Sequence, residues 1–187
     1  VKLFVSVSHS CSESLKTRDA FQFLTASSNR YIYNGTVDNS YSDSTFDIRD
    51  NFMIGSNPMC IMLGTYEARK GHKFIFEAFR RVLEIVPNAH LVTCGAGTKE
   101  ELIVINNLLK KYNLGDNVHV LGFIPNGASL IKQADILLIG SQEFESFGFT
   151  AVEAMMRGKV VVATNIGGLP EVVGTDSSCG YIVDHND

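Results

Sequence analysis

From residue 59 onward the chain alternates continuous apolar runs with amphipathic stretches, and this rhythm limits the possible folds more than any other feature. Apolar runs fall at 59–64, 89–94, 118–121, 135–139, 159–163 and 181–183. Between them, helical patterns occupy 71–86, 99–112, 127–133, 147–157 and a short 169–173, the first stopped by Pro87. Strands that are apolar throughout, rather than at every second residue, belong to parallel sheets covered on both faces. Strand–helix alternation with right-handed crossovers then predicts an α/β, doubly wound, Rossmann-like parallel sheet. Within 71–86, Phe74, Ile75, Ala78, Phe79, Val82 and Leu83 recur at three and four, which predicts the buried stripe of one helix.

The opening residues do not share this rhythm. A strand at 1–7, a helix at 13–24 and a strand at 31–33 are expected, followed by a Ser/Asn/Asp-rich linker or surface loop over 34–57. The expected organisation is a remnant of a neighbouring N-terminal domain plus a linker over 1–50, then the Rossmann-like domain over 51–187.

With 187 residues, 45% of them hydrophobic, the chain is long enough to bury one substantial core. A net charge of -4 argues against a nucleic-acid footprint, which needs a basic face. No apolar run approaches the ~20 residues of a membrane span, and the opening VKLFVSVSHS lacks the pattern of a signal peptide. Cys11, Cys60, Cys94 and Cys179 form no C-x-x-C pair and are expected to be buried free thiols in a reducing compartment.

The most specific motif is EFESFGFTAVEAM, residues 143–155, in which Glu145 and Glu153 bracket a Phe147-Gly148-Phe149 step. In a doubly wound sheet, ligands bind where the strand order reverses, between the loops after the first and fourth strands. Those loops are GTYEARKG, bringing Arg69 and Lys70 to a helix start, and GSQEFESFG, bringing Glu143 and Glu145. TNIGGLPE adds a Gly167-Gly168 turn on the same rim. Pyrophosphate needs cations and helix N-termini, and a sugar needs carboxylates to accept from its hydroxyls. Eight helical residues would set the two glutamates ~12 Å apart, beyond the ~5–9.5 Å of a glycosidase couple. Two contacts along an elongated ligand fit that spacing better than acid/base work. Gly95-Ala96-Gly97 fails as a dinucleotide fingerprint, because Glu100 stands where its third glycine belongs. The five histidines are dispersed, with no evident catalytic partner.

In this order and spacing, GTYEARKG, NVHVLGFIP, EFESFGFTAVEAM, GKVVVATNIGGLPEVV and CGYIVD resemble the family 4 retaining glycosyltransferases, over roughly residues 59–187. YNGTVD, residues 33–38, resembles the entry into their second domain. The resemblance implies one half of a GT-B architecture, the donor-binding domain for a UDP- or GDP-sugar. Glu145 and Lys70 are then the catalytic pair, with Glu145 on the sugar hydroxyls and Lys70 on the diphosphate. Glu153 would take the ribose. The donor site extends to Gly64, Thr65, Arg69, Phe147, Gly148, Phe149, Gly167 and Gly168, with the base near Gly122 and Phe123. Many members carry arginine where this chain has Thr65; Arg69 is a candidate replacement, but next to Lys70 it points differently on the turn, so the phosphate clamp is expected to be weaker or differently arranged.

The resemblance also implies transfer with retention, in polysaccharide, lipopolysaccharide or glycolipid biosynthesis, and no metal cofactor. The saccharide or lipid-linked acceptor, its catalytic groups and a C-terminal tail are expected outside this stretch, so the fragment alone should transfer little. A cytoplasmic protein, peripheral at the inner membrane face when full-length, is the expected setting. The competing expectations are a nucleotide-sugar epimerase or phosphorylase of the same fold, or a non-catalytic nucleotide-sugar-binding domain.

Overall fold

A computed structural model describes residues 4–16, 29–37 and 46–185. The chain opens with β1 (Phe4–Ser6), α1 (His9–Lys16) and β2 (Asn29–Tyr31), where β1 and β2 pair in parallel as a separate two-stranded sheet. A helical turn, α2 (Ile48–Asn51), leads to β3 (Met59–Leu63), α3 (His72–Ile85), β4 (His90–Cys94), α4 (Lys99–Tyr112) and β5 (Val118–Leu121). A 3₁₀ segment, Gly127–Gln133, precedes β6 (Ile136–Ile139), α5 (Phe149–Met156), β7 (Val160–Thr164), α6 (Leu169–Val173) and β8 (Gly180–Val183).

The last six strands form one parallel sheet in the order β5-β4-β3-β6-β7-β8, the doubly wound α/β fold that the apolar rhythm predicts. Its strand order reverses between β3 and β6. Alternation along β3 places Met59 and Ile61 in one core with Leu130, Leu137 and Ala151, and Met62 in the other with Phe76, Phe79 and Ile105. The first core lies under the 3₁₀ segment, α5 and α6; the second lies under α3 and α4.

Several expectations are corrected. The buried stripe of α3 is His72, Ile75, Phe76 and Phe79, while Ala78 and Val82 are exposed. Ile75, Phe76 and Phe79 point at the sheet, which leaves Ala78 and Val82 on the helix's outer side. The supposed linker over 34–57 includes α2, whose Ile48 and neighbouring Ile54 are fully buried; residues 38–45 lie outside the described part. Four charge-stabilised contacts anchor this piece, since Arg49 donates to the carbonyls of Gln133, Gly55 and Asn57 and reaches Asp135 at 3.3 Å. α1 starts at His9 rather than 13 because the Ser8 hydroxyl caps it, accepting from the Cys11 amide at 3.1 Å. The remainder of that expected helix, 17–24, and residues 1–3 are likewise outside the described part. Of the cysteines, Cys94 is buried, Cys11 and Cys60 are half-buried, and Cys179 is exposed.

Candidate functional site

The loops after β3 and β6 meet at the point where the strand order reverses. Gly71 caps α3 with φ +77°, and a Cβ there would stand 1.7 Å from the Gly140 carbonyl oxygen. Only glycine permits this approach of one loop backbone to the other. The Gln142 amide then donates to the Arg69 carbonyl at 2.9 Å, tying the loops a second time.

This bracing brings the two central side chains together. Lys70 Nζ donates to Glu145 Oε2 at 2.7 Å, with both side chains about four-fifths buried at 21% and 16% exposure. Ser141 Oγ donates to the same Oε2 at 3.2 Å. Thr164 Oγ1 in turn donates to the Ser141 carbonyl at 2.6 Å, and both residues are fully buried. Among the described residues Glu145 Oε1 takes no hydrogen bond and is left as an acceptor on the lining of the site.

Arg69 turns to the neighbouring Glu67, with Nε to Oε2 at 2.6 Å and Nη2 to Oε1 at 3.2 Å, while Thr65 Oγ1 donates to Oε1 at 2.7 Å. These bonds, that from Arg69 foremost, hold the Glu67 carboxyl below its usual range and raise Arg69 above its own. A compact Thr65–Glu67–Arg69 network therefore stands beside Lys70.

Two cavities share Leu63, Gly64, Thr65 and Thr150, and so form one groove along the sheet's carboxyl edge. The first, about 360 Å³, is lined by Arg69, Lys70, Ser141, Glu145, Gly148 and Phe149. The second, about 420 Å³, is lined by Ala96, Phe123, Ile124, Asn126 and Glu153. Burial raises the Glu153 carboxyl above its usual value, partly offset by Arg157. The N-terminus of α5, entered through Gly148 at φ +94°, opens on the first cavity, where its free amides favour an anion.

The groove thus gathers Gly64, Thr65, Arg69, Lys70, Phe123, Glu145, Gly148, Phe149 and Glu153. Glu143, which is exposed, lies outside its lining, as do four other residues singled out from the sequence. Phe147 is buried at 5% exposure, packed edge-on against Phe149. The Gly122 carbonyl accepts from Cys94 Sγ at 3.3 Å. Gly167 and Gly168 pass behind the Glu145 backbone, where the Gly168 amide donates to the Glu145 carbonyl at 2.8 Å and a Cβ on Gly167 would sit 2.0 Å from that oxygen. They fix the loop from beneath.

The sequence reading missed Ser141, Thr150, Thr164 and Asn126. Ser141 had a signal, being a small polar residue four before Glu145 and directly after a strand; the others had none. Among the described residues no group of three or more His, Cys, Asp or Glu is placed to hold a metal ion. No helix among them is long and apolar enough to cross a membrane. Chemically, the groove offers a cation and a helix N-terminus at one end, two carboxylates along its length, and an apolar lip at Phe123.

Residues 43–187 match the family described as Glycosyl transferases group 1. The chain is 31% identical over 132 residues to N-acetyl-alpha-D-glucosaminyl L-malate synthase of Bacillus anthracis, covering 71% of this chain and 33% of that one. Its fold is similar to that of HepE from Anabaena, solved with UDP and glucose, at a TM-score of 0.83, 23% identity and coverage of 98% of this chain and 50% of the other. WaaG, a glycosyltransferase involved in lipopolysaccharide biosynthesis, superimposes at a TM-score of 0.77 with 19% identity, over 96% of this chain and 48% of WaaG. The chain therefore spans half or less of the length of these proteins.

Proposed function

The chain belongs to the group 1 glycosyl transferases, and from that premise we propose that it forms the donor-binding half of an enzyme that moves a hexosyl group from a nucleoside diphosphate sugar to an acceptor, with retention of configuration. The observation that carries this reading is the Lys70–Glu145 contact, 2.7 Å long, at one end of a groove whose other end holds Glu153.

The donor lies along the groove. Its diphosphate sits against Lys70 and the first amides of α5, its sugar hydroxyls donate to Glu145 Oε1, its ribose reaches Glu153, and its base rests on Phe123. Arg69 would replace the arginine that the family often places at the Thr65 position once a diphosphate draws its guanidinium away from Glu67, which holds it at 2.6 Å. When the bond between the anomeric carbon and the diphosphate oxygen breaks, negative charge grows on that oxygen. Lys70 and the α5 N-terminus, worth about half a unit charge, are fixed where they stabilise it without a metal. Glu145 orients the sugar and faces the positive charge developing on its ring.

A UDP-sugar is the favoured donor, in keeping with the UDP found in HepE. The saccharide or lipid-linked acceptor is held by a second domain, to which the β1–α1–β2 unit belongs. Surface polysaccharide or glycolipid assembly at the cytoplasmic side of a membrane is the setting, in keeping with WaaG. Titration calorimetry with UDP and GDP tests the reading. Saturable UDP binding, weakened at least tenfold by Lys70→Ala and by Glu153→Ala, supports it. Binding indifferent to both substitutions overturns it.

A further inference from the structure

Two cations line the diphosphate end of the groove, Lys70 and Arg69, and the fold commits both. Lys70 is bound to Glu145 at 2.7 Å and Arg69 to Glu67 at 2.6 Å. The charges of these four side chains cancel. An arriving diphosphate gains the full charge of one cation only if a carboxylate releases it, and the two pairs are unequal.

The Lys70–Glu145 pair is sheltered, at 21% and 16% exposure, and Ser141 Oγ adds a bond to Glu145 Oε2 at 3.2 Å. Breaking it would strand a mostly buried carboxylate. It need not break, because an ammonium has three N–H donors and Lys70 can turn the other two to a phosphate. The Arg69–Glu67 pair is open, at 40% and 41% exposure. Water and salt screen such a pair, so it is the one that yields. Glu67 is not stranded when it does, since Thr65 Oγ1 still donates to its Oε1 at 2.7 Å.

Arg69 is also placed for the exchange. It lines the same cavity as Lys70 and Glu145, and after Glu67, which acts most strongly, Glu145 and Glu143 also raise it above its usual range. Its backbone is fixed, with the carbonyl accepting from the Gln142 amide at 2.9 Å, so the exchange is a rotation of the side chain. A phosphate offers the guanidinium the same two-point match as a carboxylate, with more charge. We propose that Glu67 is an internal competitor for the diphosphate: it holds Arg69, gives it up to the ligand, and so keeps donor affinity below what the two cations allow. This inference rests on the placement of the diphosphate at Lys70.

Titration calorimetry of the intact chain with UDP and with uridine, which lacks the phosphates, tests it. Glu67→Gln should tighten UDP binding by roughly two- to fivefold, the range of an exposed ion pair, and leave uridine unchanged. Glu67→Ala should act in the same direction, so the result does not hang on one substitution. Arg69→Gln should weaken UDP binding, and in that background most of the gain from Glu67→Gln should vanish, because no cation remains to be released. UDP binding that depends on Lys70 but is unchanged or weakened by Glu67→Gln overturns the competitor alone. So does an equal gain with Arg69 absent, which would reduce Glu67 to simple repulsion. A wild-type chain that binds no UDP, or binds it regardless of Lys70, overturns the donor reading and this inference together.

Discussion

Lys70 and Glu145 lie 75 positions apart in the chain and 2.7 Å apart in the fold, at 21% and 16% side-chain exposure. A pair this sheltered is weakened strongly when one partner alone is removed, since the other charge is stranded. Lys70→Met is expected to lose about 1–3 kcal/mol of stability, and Lys70→Met with Glu145→Gln less than the sum of the two. Urea unfolding of both single variants and the double variant reads the coupling. Strict additivity would mean that the contact carries no energy.

Glu153 stands in a half-buried position that raises its carboxyl. The folded state therefore holds its proton more tightly than the unfolded state, and stability falls as pH rises from the unfolded value toward the raised folded one. Glu153→Gln removes that loss. We expect it to raise Tm at pH 7 by about 1–3 °C while weakening UDP binding, so thermal melts and calorimetry should move in opposite directions. A lowered Tm would contradict the assignment.

His72 behaves with the opposite sign. Its imidazole, pushed down to about 4 by burial, binds fewer protons folded than unfolded. Stability should therefore drop as pH falls from about 6.5 toward 4, by on the order of 3 kcal/mol from this residue. His72→Phe should flatten that part of the profile. His90 and His119, also lowered by burial and 3.0 Å apart between ring nitrogens, leave a residual slope. Chemical unfolding of both proteins at half-unit pH steps measures the difference, and parallel profiles would refute it.

Glu171 ties the first unit to the main sheet. Its carboxylate accepts from the His9 and Ser10 amides, each at 2.8 Å, and from the Tyr33 hydroxyl at 3.1 Å. With Glu171→Ala the α1 N-terminus loses its counter-charge. Hydrogen exchange at the His9 and Ser10 amides should accelerate by roughly tenfold, with β3 and β4 unchanged. Uniform acceleration across the sheet would show that the contact supports the whole fold instead.

The sheet was legible because buried parallel strands announce themselves as unbroken apolar runs, whose succession also orders the loops between them. Gly71 marked the start of α3 within one residue, whereas the helix expected from 147 begins at Phe149, after Gly148 turns the chain with φ +94°. What stayed hidden depends on neighbours distant in sequence. Ile48 and Ile54 sit in a polar-looking stretch and are buried only because the 3₁₀ segment Gly127–Gln133 packs over them. The stripe of α3 is rotated onto Phe76 because the sheet, not the period alone, chooses the face. The Glu67–Arg69 bond, the Ser141–Thr164 support and the stacking of His90 on His119 follow from loop geometry and strand register, neither of which periodicity encodes.

The tether on Glu145 has one more consequence. With Oε2 taken by both Lys70 and Ser141, the carboxylate cannot swivel to meet whatever arrives; only the in-plane lone pairs of Oε1 are on offer, in one fixed orientation. A swivelling acid would accept epimers alike. A pinned one tells an axial oxygen from an equatorial one, so stereochemical choosiness can arise here without any bulky residue to exclude the wrong isomer.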